Sequence, residues 1–326
     1  MTVEPLTLAL LGLVVAAVAI DLVIGDPRRL PHPVVGIGRV ITALEHAWNH
    51  GPARARRWRG AAMTIVLVAG TFVLTWGVLA LLARVHPWLA FTAELWLLAT
   101  TLSIKGLADA ARAVATPLAD GDLPAGRQAL AMIVGRDTEH LGESELTRGT
   151  VETVAENTVD GINAPLFFAL LGGAPLALAY KAVNTLDSMV GYRNERFGEF
   201  GYASARLDDL ANWLPARLSA LALWLGACAI PGMRVRGALA ATRHEAPRHP
   251  SPNAGWPEAM VARLLGVQLG GTNHYRGVAS HRATLGEPHE ALSVAHIGAA
   301  IRLMHAGWLT FLLLILPVVL MMEWLI

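Results

Sequence analysis

Five apolar runs divide the chain: Leu6 to Ile24, Ala61 to Ala83, Trp88 to about Ser103, Trp213 to Ile230 and Ala306 to Ile326. A helix of roughly 20 apolar residues crosses the hydrocarbon core of a bilayer, so each run is read as a membrane span. The third carries Glu94. An acid at mid-span costs roughly 2.5–3.5 kcal/mol on insertion scales, so Glu94 is expected to face protein or water. A further apolar segment, Gly161 to Val183, is broken by Pro165, Gly172, Gly173 and Pro175. It is read as a buried or re-entrant helical hairpin in preference to a full crossing. The pattern therefore predicts an all-α, polytopic integral membrane protein. It has about five spans, a re-entrant or sixth segment, and cytosolic helical and loop regions. Residues 1–326 form a single membrane domain, with polar regions 105–212 and 232–305 carrying the candidate site.

Composition supports the bilayer as a partner. The chain is 54% hydrophobic and 16% charged, with a mean hydropathy of +0.46, too apolar for an ordinary soluble domain. A net charge of +1 gives no electrostatic case for a nucleic-acid partner. The single Cys228 lies in an apolar run; it excludes an intramolecular disulfide and is expected to be buried as packing. No basic region precedes the first run, and Gly25-Asp26-Pro27 is a poor cleavage site, which argues against a signal peptide. Arg28, Arg29, Arg39, Arg54, Arg56, Arg57 and Arg59 follow that run, and Gly51 to Gly60 is read as a positive-inside loop. The expected location is the cell membrane, multi-pass, with a cytoplasmic site.

The richest polar stretch runs from Gly135 to Pro215. Ser144 is read as the N-cap of a helix reaching about Gly161. Val151, Val154, Ala155, Val159 and Ile162 mark its core face, and Glu152, Glu156 and Asp160 stack at i, i+4, i+8 beside it. Three like charges repel, so something cationic is expected against them. One reading is a solvated acidic face with Arg148 paired to Glu152. The other is a site, because two further clusters follow. The first is Lys181, Asn184, Asp187, Arg193, Asn194, Glu195 and Arg196; the second is Arg206, Asp208, Asp209 and Asn212. Carboxylates and amides suit a hard cation such as magnesium, and arginine and lysine suit phosphates.

Other segments signal less. Asp26 and His32 sit on a proline-stiffened loop, which is either a helix exit with a capping Asp or part of a site. Lys105 to Arg136 reads as helices with a turn at Asp120 to Pro124. Gly135-Arg136-Asp137-Thr138 is a glycine-opened turn compatible with holding phosphate. Arg243 to Glu258, with four prolines, Asn253 and Trp256, is a rigid loop before a helix starting near Glu258. Gly270 to Asn273 offers backbone N–H groups to an anion. Neither a Walker A sequence nor a dinucleotide fingerprint occurs.

Taken together these motifs resemble the adenosylcobinamide-phosphate synthase family, the membrane-bound CobD/CbiB type of cobalamin biosynthesis. The residues that carry the likeness are GDPRRLPHPVVGIG at Gly25 to Gly38, IVGRDT at Ile133 to Thr138 and VETVAENTVDG at Val151 to Gly161. YKAVNTLDSMVGYRNERFGEFG at Tyr180 to Gly201, ARLDDLANWLPARL at Ala205 to Leu218 and HPSPNAGWPEA at His249 to Ala259 complete it. Their order covers nearly the whole chain.

The resemblance implies an amide-forming ligase. It joins a carboxylate of adenosylcobyric acid to the amine of aminopropanol phosphate, or a related amino alcohol, using ATP and Mg2+ and passing through an acyl phosphate. Other cobalamin-pathway enzymes are further candidate partners. From residue type alone, Glu152, Glu156, Asp160, Asp187, Asp208 and Asp209 are candidates for magnesium ligands or general base, the first four for the metal especially. Arg136, Asp137, Lys181, Asn184, Arg193, Arg196, Arg206 and Asn253 are candidates for holding phosphates and substrate, and Trp256 for meeting the corrinoid. A transporter and a non-catalytic membrane sensor or scaffold are the rival readings; ATP-dependent product formation separates them from a ligase.

Overall fold

The computed structural model describes residues 5–25 and 32–325. Asp26, Arg28 and Arg29, singled out above, lie outside the described residues. The chain is mostly helical, in chain order α1 (Leu8–Ile24), α2 (Pro33–Trp48), α3 (Ala53–Val85), α4 (Pro87–Ala99), α5 (Ile104–Ala119), α6 (Leu123–Ala131) and α7 (Glu143–Thr158). A π turn, Val159–Asn163, leads into α8 (Ala164–Val190), followed by α9 (Tyr202–Ala211), α10 (Trp213–Ala227), α11 (Ala238–Glu245) and α12 (Gly255–Leu265). A hairpin of β1 (Leu269–Tyr275) and β2 (Val278–Leu285) precedes α13 (Ala295–Leu325). The hairpin corrects the all-α expectation.

Four stretches are long and apolar enough to cross a membrane: Ala53–Val85, Pro87–Ala119, Glu143–Val190 and Ala295–Trp324. α1 is apolar but shorter, at 17 residues. α10 has only 15 residues, about 22 Å at 1.5 Å per residue, and so falls short of the span expected at Trp213 to Ile230. The arginines of the expected Gly51 to Gly60 loop, Arg54, Arg56, Arg57 and Arg59, all lie within the first turns of α3, which begins at Ala53. α3 exposes Ile65, Val66, Val73, Leu74 and Leu81, as a lipid-facing helix does.

The chain divides into two compact units. Unit 1 holds residues 1–103, 164–212 and 317–326; unit 2 holds residues 104–163 and 213–316. In unit 1, α2, α3, α8 and the segment before α9 share a core of Ile37, Ile41, Met63, Leu67, Ala182, Leu186, Val190 and Phe200. The broken segment foreseen near Gly172 is real. α8 leaves helical geometry at Gly172 and Gly173, the latter at φ +61°, a left-handed value that glycine tolerates. A break frees backbone groups inside protein. The carboxylate of Glu94 on α4 answers it by accepting from the Ala174 N–H at 3.4 Å. Glu94 is buried, as expected of an acid kept from lipid.

In unit 2, α5 packs on α6 and α7, α12 on α10 and α11, and the hairpin on α7 and α12. Asn163 donates to Ser219 Oγ at 3.0 Å, which ties the π turn to α10. β1 and β2 are antiparallel, Leu269 opposite Leu285 and Tyr275 opposite Val278, with an irregularity between Leu269 and Gly271. Arg276 and Gly277 both take positive φ, as a two-residue hairpin turn requires. α7 is capped by Gly142, not Ser144: the Glu145 carboxylate reaches back to the Gly142 N–H at 2.9 Å. Cys228 is exposed, which corrects the expectation that it is buried as packing.

Candidate active site

Each unit builds its own polar centre. In unit 1, Tyr180, Asn184 and Asp187 recur at i, i+4, i+7 and so share a face of α8. Tyr180 donates to Asn212 Oδ1 at 2.9 Å, and Asn212 Nδ2 donates to both Asp208 oxygens at 3.1 Å. Asn184 also hydrogen-bonds Asp208. Burial and then the Asp187 charge push the Asp208 carboxyl up to about 7, with Asp209 adding to the effect. Arg206 reaches Asp209 Oδ2 at 3.3 Å but is largely exposed. The centre thus sets Asp187, Asp208 and Asp209 close enough for their charges to act on one another.

These donors fit the chemistry of magnesium, since every one is a carboxylate or amide oxygen. Among the described residues, no three His, Cys, Asp or Glu side chains are placed to hold an ion by themselves. A magnesium ion here would be held by one or two of Asp187, Asp208 and Asp209, with water and phosphate oxygens completing its shell.

The centre of unit 2 forms where α7, α12 and the hairpin meet. Glu152 is 4% exposed, and donors occupy both of its oxygens. Arg136 Nη2 reaches Oε2 at 2.5 Å; Arg148 Nη1 at 3.2 Å and the Gly270 N–H at 2.8 Å reach Oε1. The expected Arg148–Glu152 pair is therefore present, with a second cation against the acids as repulsion demanded. Glu152 is an arginine anchor here, and a metal ion would have to displace a guanidinium to reach it. Arg136 Nη1 and Arg148 Nη2 also donate to Asn273 Oδ1, at 2.8 and 3.0 Å, and Arg148 reaches the carbonyls of Gly270 and Thr272.

Asp137 is bonded to the hairpin turn. Its two oxygens accept from the N–H groups of Arg276 and Gly277 at 2.9 and 2.7 Å, and its own N–H donates to the His274 carbonyl. Those backbone donors hold its carboxyl below the usual range. Gly135 to Thr138 thus fastens the hairpin turn.

Glu258, in the first turn of α12, is fully buried. Burial, then the charges of Glu152 and Glu156, raise its carboxyl well above the usual range. His249 Nε2 lies 3.7 Å from Glu258 Oε1. Burial and then the Arg282 charge push the His249 ring down to about 4, so it is neutral at physiological pH. Arg282, from β2, lies within electrostatic reach of Glu258, Glu156 and Glu152 and donates to Tyr275 Oη at 3.1 Å.

The remaining expected residues scatter. Asp160 falls in the π turn, where the helical register of the three-acid stripe is interrupted. Lys181 is half-buried on α8, and Arg193 is exposed. Arg196 forks onto Glu45 through Nε at 3.1 Å and Nη2 at 2.8 Å, an anchor within unit 1. Asn253 is buried, its N–H donating to Ser251 Oγ at 3.3 Å. Trp256 is half-buried, with the Arg217 guanidinium 4.8 Å from its ring centre and 4.3 Å from that of Trp213. Sequence reasoning passed over Glu258, His249, Arg282 and Arg217. The HPSPNAGWPE run contained the first two, but only as a loop and a helix start.

The fold and its two centres define a polytopic helical membrane protein whose polar groups are gathered into built clusters. The sequence profile of the family described as CobD/Cbib protein matches residues 14–304. The chain belongs to this CobD/CbiB family of cobalamin biosynthesis proteins. It is 50% identical to the cobalamin biosynthesis protein CbiB of Salmonella arizonae over 87% of this chain and 90% of that one. It is 46% identical to the cobalamin biosynthesis protein CobD of Halalkalibacterium halodurans over 93% and 95% of the two chains. With CobD of Klebsiella pneumoniae the identity is 50%, over 87% and 90%. No solved structure matches.

Proposed function

We propose that the protein is an ATP-dependent acid–amine ligase, joining adenosylcobyric acid to aminopropanol phosphate or a related amino alcohol. Family membership supports the pathway, and the resemblance in the motifs supports the substrates. The observation that carries the chemistry is the acid centre of Asp187, Asp208 and Asp209, whose carboxylates act on one another and offer only oxygen donors. Such a centre calls for a cation, and Mg2+ brought by ATP supplies it together with phosphate ligands.

A carboxylate is a poor acyl donor, because attack by an amine would have to expel an oxide. In the proposed reaction its oxygen attacks the γ-phosphorus of ATP and ADP departs. The amine then attacks the acyl carbon, the C–O bond to phosphate breaks, and inorganic phosphate leaves as the nitrogen loses its proton. Arg136 and Arg148 are buried cations suited to charge building on phosphoryl oxygens. Glu156, within electrostatic reach of Glu258, is the candidate proton acceptor. Substrate carrying heavy oxygen in the reacting carboxylate tests the route. One labelled oxygen should appear in inorganic phosphate, with ADP as coproduct. Label in AMP would replace acyl phosphate by adenylate and leave the ligase reading standing.

A further inference from the structure

Among the described residues of unit 2, the buried donors without an acceptor include the Thr147 hydroxyl and two N–H groups near Glu152. The first N–H group is on His249, 9% exposed. Ser251 meets Nδ1 with both its backbone groups, the N–H at 3.0 Å and the carbonyl at 3.3 Å; the shorter contact assigns Nδ1 as the acceptor of the neutral ring and the proton to Nε2. That Nε2 has no hydrogen-bond partner; its nearest acid, Glu258, lies at 3.7 Å, beyond hydrogen-bond reach. The second is Asn273, 3% exposed. Two guanidinium groups donate to its oxygen, which fixes the amide orientation and leaves Nδ2 as the donor side, again without a partner.

Buried donors are nearly always hydrogen-bonded, so two around Glu152 ask for an explanation. Both belong to the shell around Glu152. Asn273 is held by the arginines that hold Glu152, and His249 lies within electrostatic reach of Glu152 and Arg282. The guanidinium groups of Arg136, Arg148 and Arg282 gather here, and burial disfavours charge on Glu258. The shell is rich in cations, and its spare groups are N–H donors. An anionic oxygen satisfies both conditions.

We propose that His249 Nε2–H and Asn273 Nδ2–H2 are the neutral donors of an anion-binding position in unit 2, ringed by Arg136, Arg148 and Arg282, which takes an oxygen of a substrate phosphoryl or carboxylate group. Which substrate supplies that oxygen rests on the ligase reading; the anion-binding position does not.

The test uses the full chain purified in detergent and thermal unfolding at constant ionic strength. Inorganic phosphate and acetate are the probes, and chloride is the control. His249→Gln keeps a donor near Nε2; His249→Asn keeps an acceptor near Nδ1 and loses that donor. Asn273→Leu removes the other. Phosphate or acetate should stabilise the wild type beyond chloride. His249→Asn and Asn273→Leu should each weaken the apparent affinity by about tenfold, the usual cost of a hydrogen bond to a charged group. His249→Gln should stay within about threefold. A response to phosphate alone assigns the position to a phosphoryl group, and a response to acetate alone to a carboxylate. If Asn273→Leu does not fold, the two His249 variants decide. Equal affinities in His249→Asn, His249→Gln and wild type overturn the proposal, as does stabilisation no greater than that by chloride. Loss of anion binding in the variants of a protein that forms no amide would sustain this position and sink the ligase reading.

Discussion

Glu152 shows what one residue can and cannot reveal about its neighbours. Its bond to Arg148 follows from i, i+4 spacing, so the sequence exposes it. Its bond to Arg136 and their shared contact with Asn273 join three chain segments, and no local pattern carries that information. The same distance explains why Glu152 looked like a metal ligand: an acid stripe seen without its arginines is indistinguishable from an open one. Glu156 retains a chemical role in the proposal. Glu156→Gln keeps size and helix propensity and removes the charge. The variant should insert and purify normally while turnover falls by at least about two orders of magnitude, the low end for a positioned acid–base group. Near-normal turnover at saturating magnesium would remove Glu156 from the chemistry. His249 gives a pH signature. Its folded value of about 4 lies below the ordinary 6.5, so the unfolded chain binds the extra proton between those limits. Stability is intact above pH 6.5 and falls as pH drops toward 4, by roughly 3 kcal/mol at 1.36 kcal/mol per unit. Glu258 on α12 works in the opposite sense, Arg282 on β2 in the same sense, and Glu152 on α7 favours protonation. Comparing the melting temperatures of wild type and His249→Gln from pH 4 to 7 isolates the imidazole. The difference should narrow or reverse as pH falls, and a constant difference would show that His249 does not titrate in this window.

At the scale of elements, helices were readable because their apolar repeats are long. The Gly172–Gly173 break was readable because glycine and proline interrupt such a repeat. The hairpin was not. β1 has two glycines after Leu269, β2 mixes Ala, Ser, His and Arg, and the turn is Arg276-Gly277 in place of the usual Asn-Gly. It is specified by tertiary bonds: Glu152 and Arg148 grip β1, and Asp137 holds the turn. α10 misled for another reason, since its apolar face packs against α12 although it is too short to span. The α8 break offers a direct test. Gly173 holds φ +61°, and a Cβ there would run into the Glu94 carboxylate. Gly173→Ala should lower stability by about 1–3 kcal/mol, measured as a fall in the midpoint of chemical or thermal unfolding. An unchanged midpoint would mean that the helix can run straight past Glu94.

For the whole molecule, the span-like segments differ in what covers them. Only 17% of the most apolar window of α3 is buried in protein, against 72% for the stretch Glu143–Val190. The latter is interior first and membrane-like second, which is why its composition alone left crossing and re-entry both open. It also carries Glu152, Glu156, Asp160, Lys181, Asn184 and Asp187, so the apolar core and the candidate chemistry are written on one stretch of chain. The central claim is that this membrane fold makes an amide at the expense of ATP. The decisive measurement gives the purified full chain adenosylcobyric acid, aminopropanol phosphate and MgATP, and follows corrinoid product, ADP and phosphate together. The account predicts one amide formed per ADP and phosphate released, with no product when magnesium is chelated. Amide formation without nucleotide consumption, or no amide at all from active, folded protein, would contradict it.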